Sequence, residues 1–279
     1  MGNARLDSSV CIPEISNSPM QPNNSTTNAS PWFLSRPGMQ HHLRLYCFCY
    51  AGGNALSYIP WQSSIDPAIE ICAIQLPGRG ARIAETPVTS MPALVESISH
   101  AIERQRDMPF AFFGHSLGAL LAFELVRYRK RLGLPMPLHL FVSGCDAPQF
   151  RDPPKGLHKF SDDALIDALK EYNGTPPEIL AHRELMELVL PTVRADFSLA
   201  ENYQYDGGLL LDTLMTVMAG TADDRSSLEQ VEGWAKETAA NCDIQWFEGD
   251  HFFINPQKEA VINCINEALR PSLANLAAA

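Results

Sequence analysis

No apolar run in this 279-residue sequence approaches the ~18 residues of a membrane-spanning helix, so none is expected. Positive charge is scarce as well. Lys and Arg number 21 against 32 Asp and Glu, a net charge of −11, which argues against a general nucleic-acid or anionic-membrane binder. The seven cysteines form no C-x-x-C pair, and their odd number leaves no complete disulfide set. Cys47 and Cys49 alternate along an apolar run and read as small core residues on one face. A reduced, cytoplasmic protein is therefore expected. No charged segment followed by an apolar stretch opens the chain, so no secretory signal is read. Leu6 stands where myristoylation wants Ser or Thr, and the Asn-x-Ser/Thr matches at Asn23, Asn24 and Asn28 carry no weight without secretion. There is no internal repeat.

What is present is an alternation. Residues 1–41 are rich in Asn, Ser, Pro and Thr, lack apolar periodicity and read as a disordered tail. From residue 42, apolar runs at 43–50, 69–75, 110–113, 138–143, 214–219 and 244–247 read as buried strands. Helical patterns lie between them at 54–65, 91–106 and from Ala119 onward. Strand and helix in turn predict an α/β fold, a mostly parallel sheet covered by helices on both faces. The alternation breaks at about 147–208, where only helical segments occur, one capped by Ser161 and another over 184–203. That insertion is expected to be a helical lid. Two more helices come after it, near 227–238 with a Ser226/Glu229 capping box, and at 256–270 with Asn255 as cap and Pro256 first. One domain over 42–273 and a short tail at 274–279 complete the reading.

The chemistry centres on Gly114-His115-Ser116-Leu117-Gly118. This G-x-S-x-G lies between a buried strand and a helix, the context in which a serine is held strained with its hydroxyl exposed. A serine hydroxyl needs a base, and the base needs a carboxylate to fix its tautomer. In sheets of this kind the order is Ser, then Asp or Glu, then His. Of eight histidines, order and strand context favour His251, which comes after the run 244–247. The acid should come after the run 214–219, where Asp223 and Asp224 both qualify by location; Asp223 is preferred and Asp224 kept. Two backbone N–H groups should hold the oxyanion, that of Leu117 and that of Ala51 in Tyr50-Ala51-Gly52-Gly53, with Gly52 permitting close approach to substrate.

These residues, with Gln75-Leu76-Pro77-Gly78-Arg79-Gly80, Leu190-Pro191-Thr192-Val193-Arg194-Ala195-Asp196 and Gly249-Asp250-His251-Phe252-Phe253, resemble those of the type II thioesterases, editing hydrolases of polyketide and nonribosomal peptide synthesis within the α/β-hydrolase superfamily. The likeness covers about residues 42–270. Cys49 and Leu214 stand where proline is usual, and the N-terminal tail is longer than usual. The resemblance implies a Ser116–Asp223–His251 triad, no cofactor, and hydrolysis of acyl or aminoacyl thioesters on the phosphopantetheine arm of carrier proteins. A monomer with carrier domains as partners is expected. Alternatives on the same scaffold are a programmed chain-releasing, cyclising or medium-chain fatty acyl thioesterase and a general carboxylesterase; a catalytically idle partner of a synthase is the alternative of another class. Arg79 and Arg82, after a strand at the site edge, are candidates for carrier docking. Met186, with other lid apolar residues, is a candidate for an acyl tunnel. The basic run Arg127, Arg129, Lys130 and Arg131 lies near a helix C-terminus, where cations complement the dipole.

Overall fold

The computed structural model describes residues 30–36, 41–105, 108–151, 153–172, 174–175 and 177–278. Seven strands form one sheet: β1 (Phe33–Ser35), β2 (Leu43–Phe48), β3 (Ile69–Ile74), β4 (Phe110–His115), β5 (His139–Ser143), β6 (Leu214–Gly220) and β7 (Cys242–Phe247). Their order is β1-β3-β2-β4-β5-β6-β7. β1 pairs antiparallel with β3, and every other pair is parallel. Every residue of β2, β3 and β4 is buried, as a parallel sheet covered on both faces requires.

Alternate side chains serve opposite faces. Tyr46, Phe48 and Phe112 join the core beneath α1 (Met91–Glu103) and α2 (Leu117–Arg131). Leu45, Cys47 and Phe113 join the other core, with Val261, Ile262 and Ile265 of the last helix, Lys258–Ala277. Each fully buried Phe or Leu contributes about 2–3 kcal/mol. Among the described residues no helix is long and apolar enough to cross a membrane.

Between β5 and β6 the chain leaves the sheet for α3 (Asp162–Tyr172), α4 (Pro177–Leu180) and α5 (Arg183–Glu201). They close over a third apolar cluster of their own, including Leu165, Leu169, Leu180, Met186, Leu190 and Phe197. Two further helices complete the set: the short α6 (Leu228–Glu232) and the last, α7 (Lys258–Ala277).

Several local expectations are corrected. Of the expected tail, residues 1–29 and 37–40 lie outside the described residues, but 33–35 form an edge strand. Trp32 supports it: its carbonyl accepts the Gln75 N–H at 2.8 Å, and its ring stacks against the Arg82 guanidinium. The stretch 54–65 is two 3-10 turns, Ala55–Ser57 and Ile59–Ser63, the second with Pro in its first turn. The capping box is Ser227 with Gln230, one residue on from the expected pair. α7 starts at Lys258 and runs through Pro271 into the expected tail, because Leu273 and Leu276 extend its apolar stripe onto the core.

Candidate active site

Ser116 is the junction of β4 and α2, with φ 56° and ψ −119°, and is the one non-glycine with positive φ among the described residues. Such a conformation costs about 1–3 kcal/mol and persists only where its surroundings impose it. Here they do. A Cβ on Gly114 would sit 2.1 Å from the Gly118 carbonyl oxygen, and one on Gly118 would sit 2.1 Å from that of Phe48. The Ser116 N–H donates to Ser143 O at 2.8 Å. Behind it the buried His115 ring lies 2.9 Å from Ser143 Oγ through Nδ1 and 5.2 Å, centroid to centroid, from His251. Burial and the neighbouring His251 push His115 far below the usual histidine range, so it is a neutral wedge.

β6 and β7 bring Asp223 and His251 together. Their pairing ends at Gly220 opposite Phe247, and the loops continue it, with Thr221 N–H to Phe247 O and Ala222 N–H to Gly249 O, both 2.8 Å. Gly220 permits this approach, since a Cβ there would meet Asp250 O at 2.5 Å. His251 Nδ1 then lies 2.8 Å from Asp223 Oδ2. Burial alone would raise the Asp223 carboxyl. The His251 hydrogen bond and charge, the Arg225 N–H and the Arg225 charge outweigh that and hold it below its usual value. An ionised acceptor on Nδ1 fixes that nitrogen as the donor and leaves Nε2 to accept. Of the two aspartates open in the sequence, Asp223 holds His251; Asp224 lines the cavity instead.

Ser116 and His251 face a cavity of about 910 Å³, with Ala51 and Leu117 beside them. Its far wall comes from the lid and the stretches flanking it, including Leu157, Ala168, Tyr172, Phe197, Glu201 and Tyr203. Gly144, Cys145 and Asp146, after β5, form a wall that no sequence motif marks; a loop at the carboxyl end of a strand beside β4 was the available signal. Burial pushes the Cys145 thiol up to about 11, which leaves it protonated at neutral pH. The Leu117 N–H lies in the first turn of α2, where no intrahelical acceptor exists. Ala51 lies in a turn closed by Gly53 N–H to Tyr50 O at 2.9 Å.

Four expectations at this site are corrected. Gly52 is not among the residues lining the cavity, and its N–H donates to Asp196 Oδ2 of α5 at 2.8 Å. Arg79 and Arg82 are buried and paired rather than displayed. Arg79 grips both Asp196 oxygens, at 2.6 and 2.8 Å, while Arg82 binds Glu85 and Gln75 O. Met186 is 1% exposed inside the lid's own cluster and lines no part of the cavity. The basic run after Leu125 is also consumed locally: Arg127 pairs with Glu124 and Asp206, Arg129 with Glu103, Lys130 with Asp212 and Arg131 with Asp206. Asp196 was named in the sequence only as part of a motif. Its signal was its spacing from Thr192, one helical turn away on the same buried face.

The chain matches the family described as "Thioesterase domain" over residues 43–269. It is 36% identical to the gramicidin S biosynthesis protein GrsT of Aneurinibacillus migulanus, an alignment covering 89% of this chain and 97% of that protein. With thioesterase PikA5 of Streptomyces venezuelae it shares 32% identity over 84% of this chain and 83% of the relative. Among solved structures, the type II thioesterase BorB from the borrelidin biosynthetic cluster superposes with a TM-score of 0.79 at 30% identity, over 86% of this chain and 98% of that one. The elbow serine, the sheet order and these likenesses agree: the chain belongs to the thioesterase-domain family of α/β-hydrolase fold, as a homologue of the type II thioesterases of nonribosomal peptide and polyketide pathways.

Proposed function

We propose that this thioesterase removes acyl and aminoacyl groups from the phosphopantetheine arm of carrier proteins, clearing aberrant or stalled units from a synthase. The observation that carries the reading is the shared cavity wall of Ser116 and His251, with His251 held from behind by Asp223. Ser116 Oγ attacks the thioester carbonyl carbon and its proton passes to His251 Nε2. The Ala51 and Leu117 N–H groups hold the oxyanion. Collapse breaks the carbon–sulfur bond, and the sulfur leaves with the proton from His251 as the free thiol. A water then gives its proton to His251 and attacks the acyl-serine; the acid departs and Ser116 regains its hydrogen. Asp223 stays ionised throughout, stabilising the imidazolium without taking its proton. Carrier domains are the partners this reading requires, and no cofactor enters any step.

The test is single-turnover release of acetyl, longer acyl and aminoacyl groups from a phosphopantetheinylated carrier, by wild type and by Ser116→Ala. Broad release of short units, lost in Ser116→Ala, is the expected outcome. Preference for one long chain would replace editing with programmed release. Good hydrolysis of oxygen esters with no turnover of carrier thioesters would make the protein an esterase.

A further inference from the structure

Asp196 is a carboxylate on the lid helix, 1% exposed, whose partners all lie on the sheet side. Its Oδ2 accepts from Gly52 N–H at 2.8 Å and from Arg79 Nη1 at 2.8 Å; its Oδ1 accepts from Arg79 Nη2 at 2.6 Å. Arg79 Nη1 also donates to Gly53 O at 3.0 Å. The ion pair therefore holds the turn after β2 by two successive residues, an N–H and a carbonyl. One helical turn earlier Thr192 Oγ1 donates to Gly78 O at 2.5 Å, and Val193 Cγ2 would lie 3.2 Å from a Cβ on Gly52.

We propose that Asp196 and Arg79 are positioning residues for the oxyanion site, fixing the Ala51 N–H through the turn they clamp. The inference rests on the serine mechanism above. Gly53 N–H bonds Tyr50 O, and C=O and N–H point oppositely in a trans peptide, so the Ala51 N–H faces away from the closed side of that turn. Ala51 borders the cavity there. With Gly52 at φ +75°, the turn has backbone freedom that the clamp removes. The Arg79 charge also neutralises Asp196, which would otherwise oppose a developing oxyanion. Because the carboxylate rides on the lid, the oxyanion site is complete only while this part of α5 is docked.

Asp196→Asn and Arg79→Lys test the proposal, with Glu70→Gln as the control. Glu70 forms another buried ion pair, with Arg44 at 2.6 Å, remote from the cavity lining. Steady-state rates are measured on a small acyl thioester of N-acetylcysteamine, alongside inhibition by the matching trifluoromethyl ketone, which forms a tetrahedral adduct. For Asp196→Asn, kcat is expected to fall about 10²-fold, the scale of losing one oxyanion donor, with KM nearly unchanged. The ketone should weaken by the same factor as kcat/KM. Arg79→Lys, which keeps charge without the two-pronged grip, should fall in the same direction by less; it carries the test if Asp196→Asn does not fold. Folded variants with wild-type kcat, or a loss matched by Glu70→Gln, would overturn the proposal. Ser116→Ala separates the two failures. Turnover that survives it overturns the serine mechanism and this inference together, whereas turnover abolished by it and untouched by the clamp variants overturns the clamp alone.

Discussion

At the scale of single residues, the adjacent aspartates after β6 have separate places. Asp223 accepts from His251 and from the Arg225 N–H, and Asp224 faces the cavity. Asp223→Asn would present an amide where an anion now fixes the imidazole, so kcat for thioester hydrolysis is expected to drop about 10⁴-fold. Asp224→Asn should stay within a few-fold, and steady-state kinetics of the two proteins side by side decides. The sequence carried the order and the strand context of Ser116 and His251, because both arise from local patterns of apolar run, glycine and loop. It left the two aspartates open, since adjacent residues share every local signal and differ only in direction. It offered Arg79 and Arg82 for carrier docking for a related reason. A lone arginine in a loop reads as exposed, and the partner that buries Arg79 is 117 positions away.

Among elements the same contrast holds. Continuous apolar runs made β2 to β5 legible almost to the residue, because a parallel strand buried on both faces has no polar alternation to confuse its limits. The 3-10 turns at Ala55–Ser57 and Ile59–Ser63 were not legible, since short tight turns share the spacing of a helix over so few residues. The three-residue β1 is too short to carry a period at all. The lid has a cluster separate from both faces of the sheet, so it is expected to loosen by itself. Met186→Ala should remove about 2–5 kcal/mol from that cluster. Hydrogen exchange should then quicken in α3, α4 and the first half of α5 and stay unchanged in β2, β4 and β5; uniform acceleration would mean that lid and sheet unfold as one unit.

For the whole molecule, two buried histidines add to the response to acid that the paired carboxylates Asp223, Glu201 and Asp206 already give. Burial lowers His139, whose Nε2 lies 2.8 Å from Thr216 Oγ1, to about 4, against the partial opposition of Asp243. Burial also holds His115 far down. Unfolding returns both toward the ordinary value near 6.5, so below that pH the unfolded chain binds more protons than the native one. Stability is thus expected to be full above pH 6.5 and to fall as pH drops toward 4, with His139 accounting for about 3 kcal/mol. Urea unfolding from pH 7.5 to 4.5 would measure this, and His139→Gln should flatten the dependence; an unchanged slope would show that His139 does not contribute. A different consequence arises from where the insertion sits. It leaves the sheet after β5 and returns at β6, while Asp223 and His251 are spaced by the β6–β7 register downstream of it. The lid therefore interrupts the chain without interrupting the strand pairing that spaces Asp223 and His251. It meets the scaffold on two sides of the site, through Thr192 and Asp196 of α5 beside the turn after β2, and through Glu171 O and Tyr172 of α3, which hold Arg225 next to Asp223, so a change in either lid helix is felt at the chemistry beneath it.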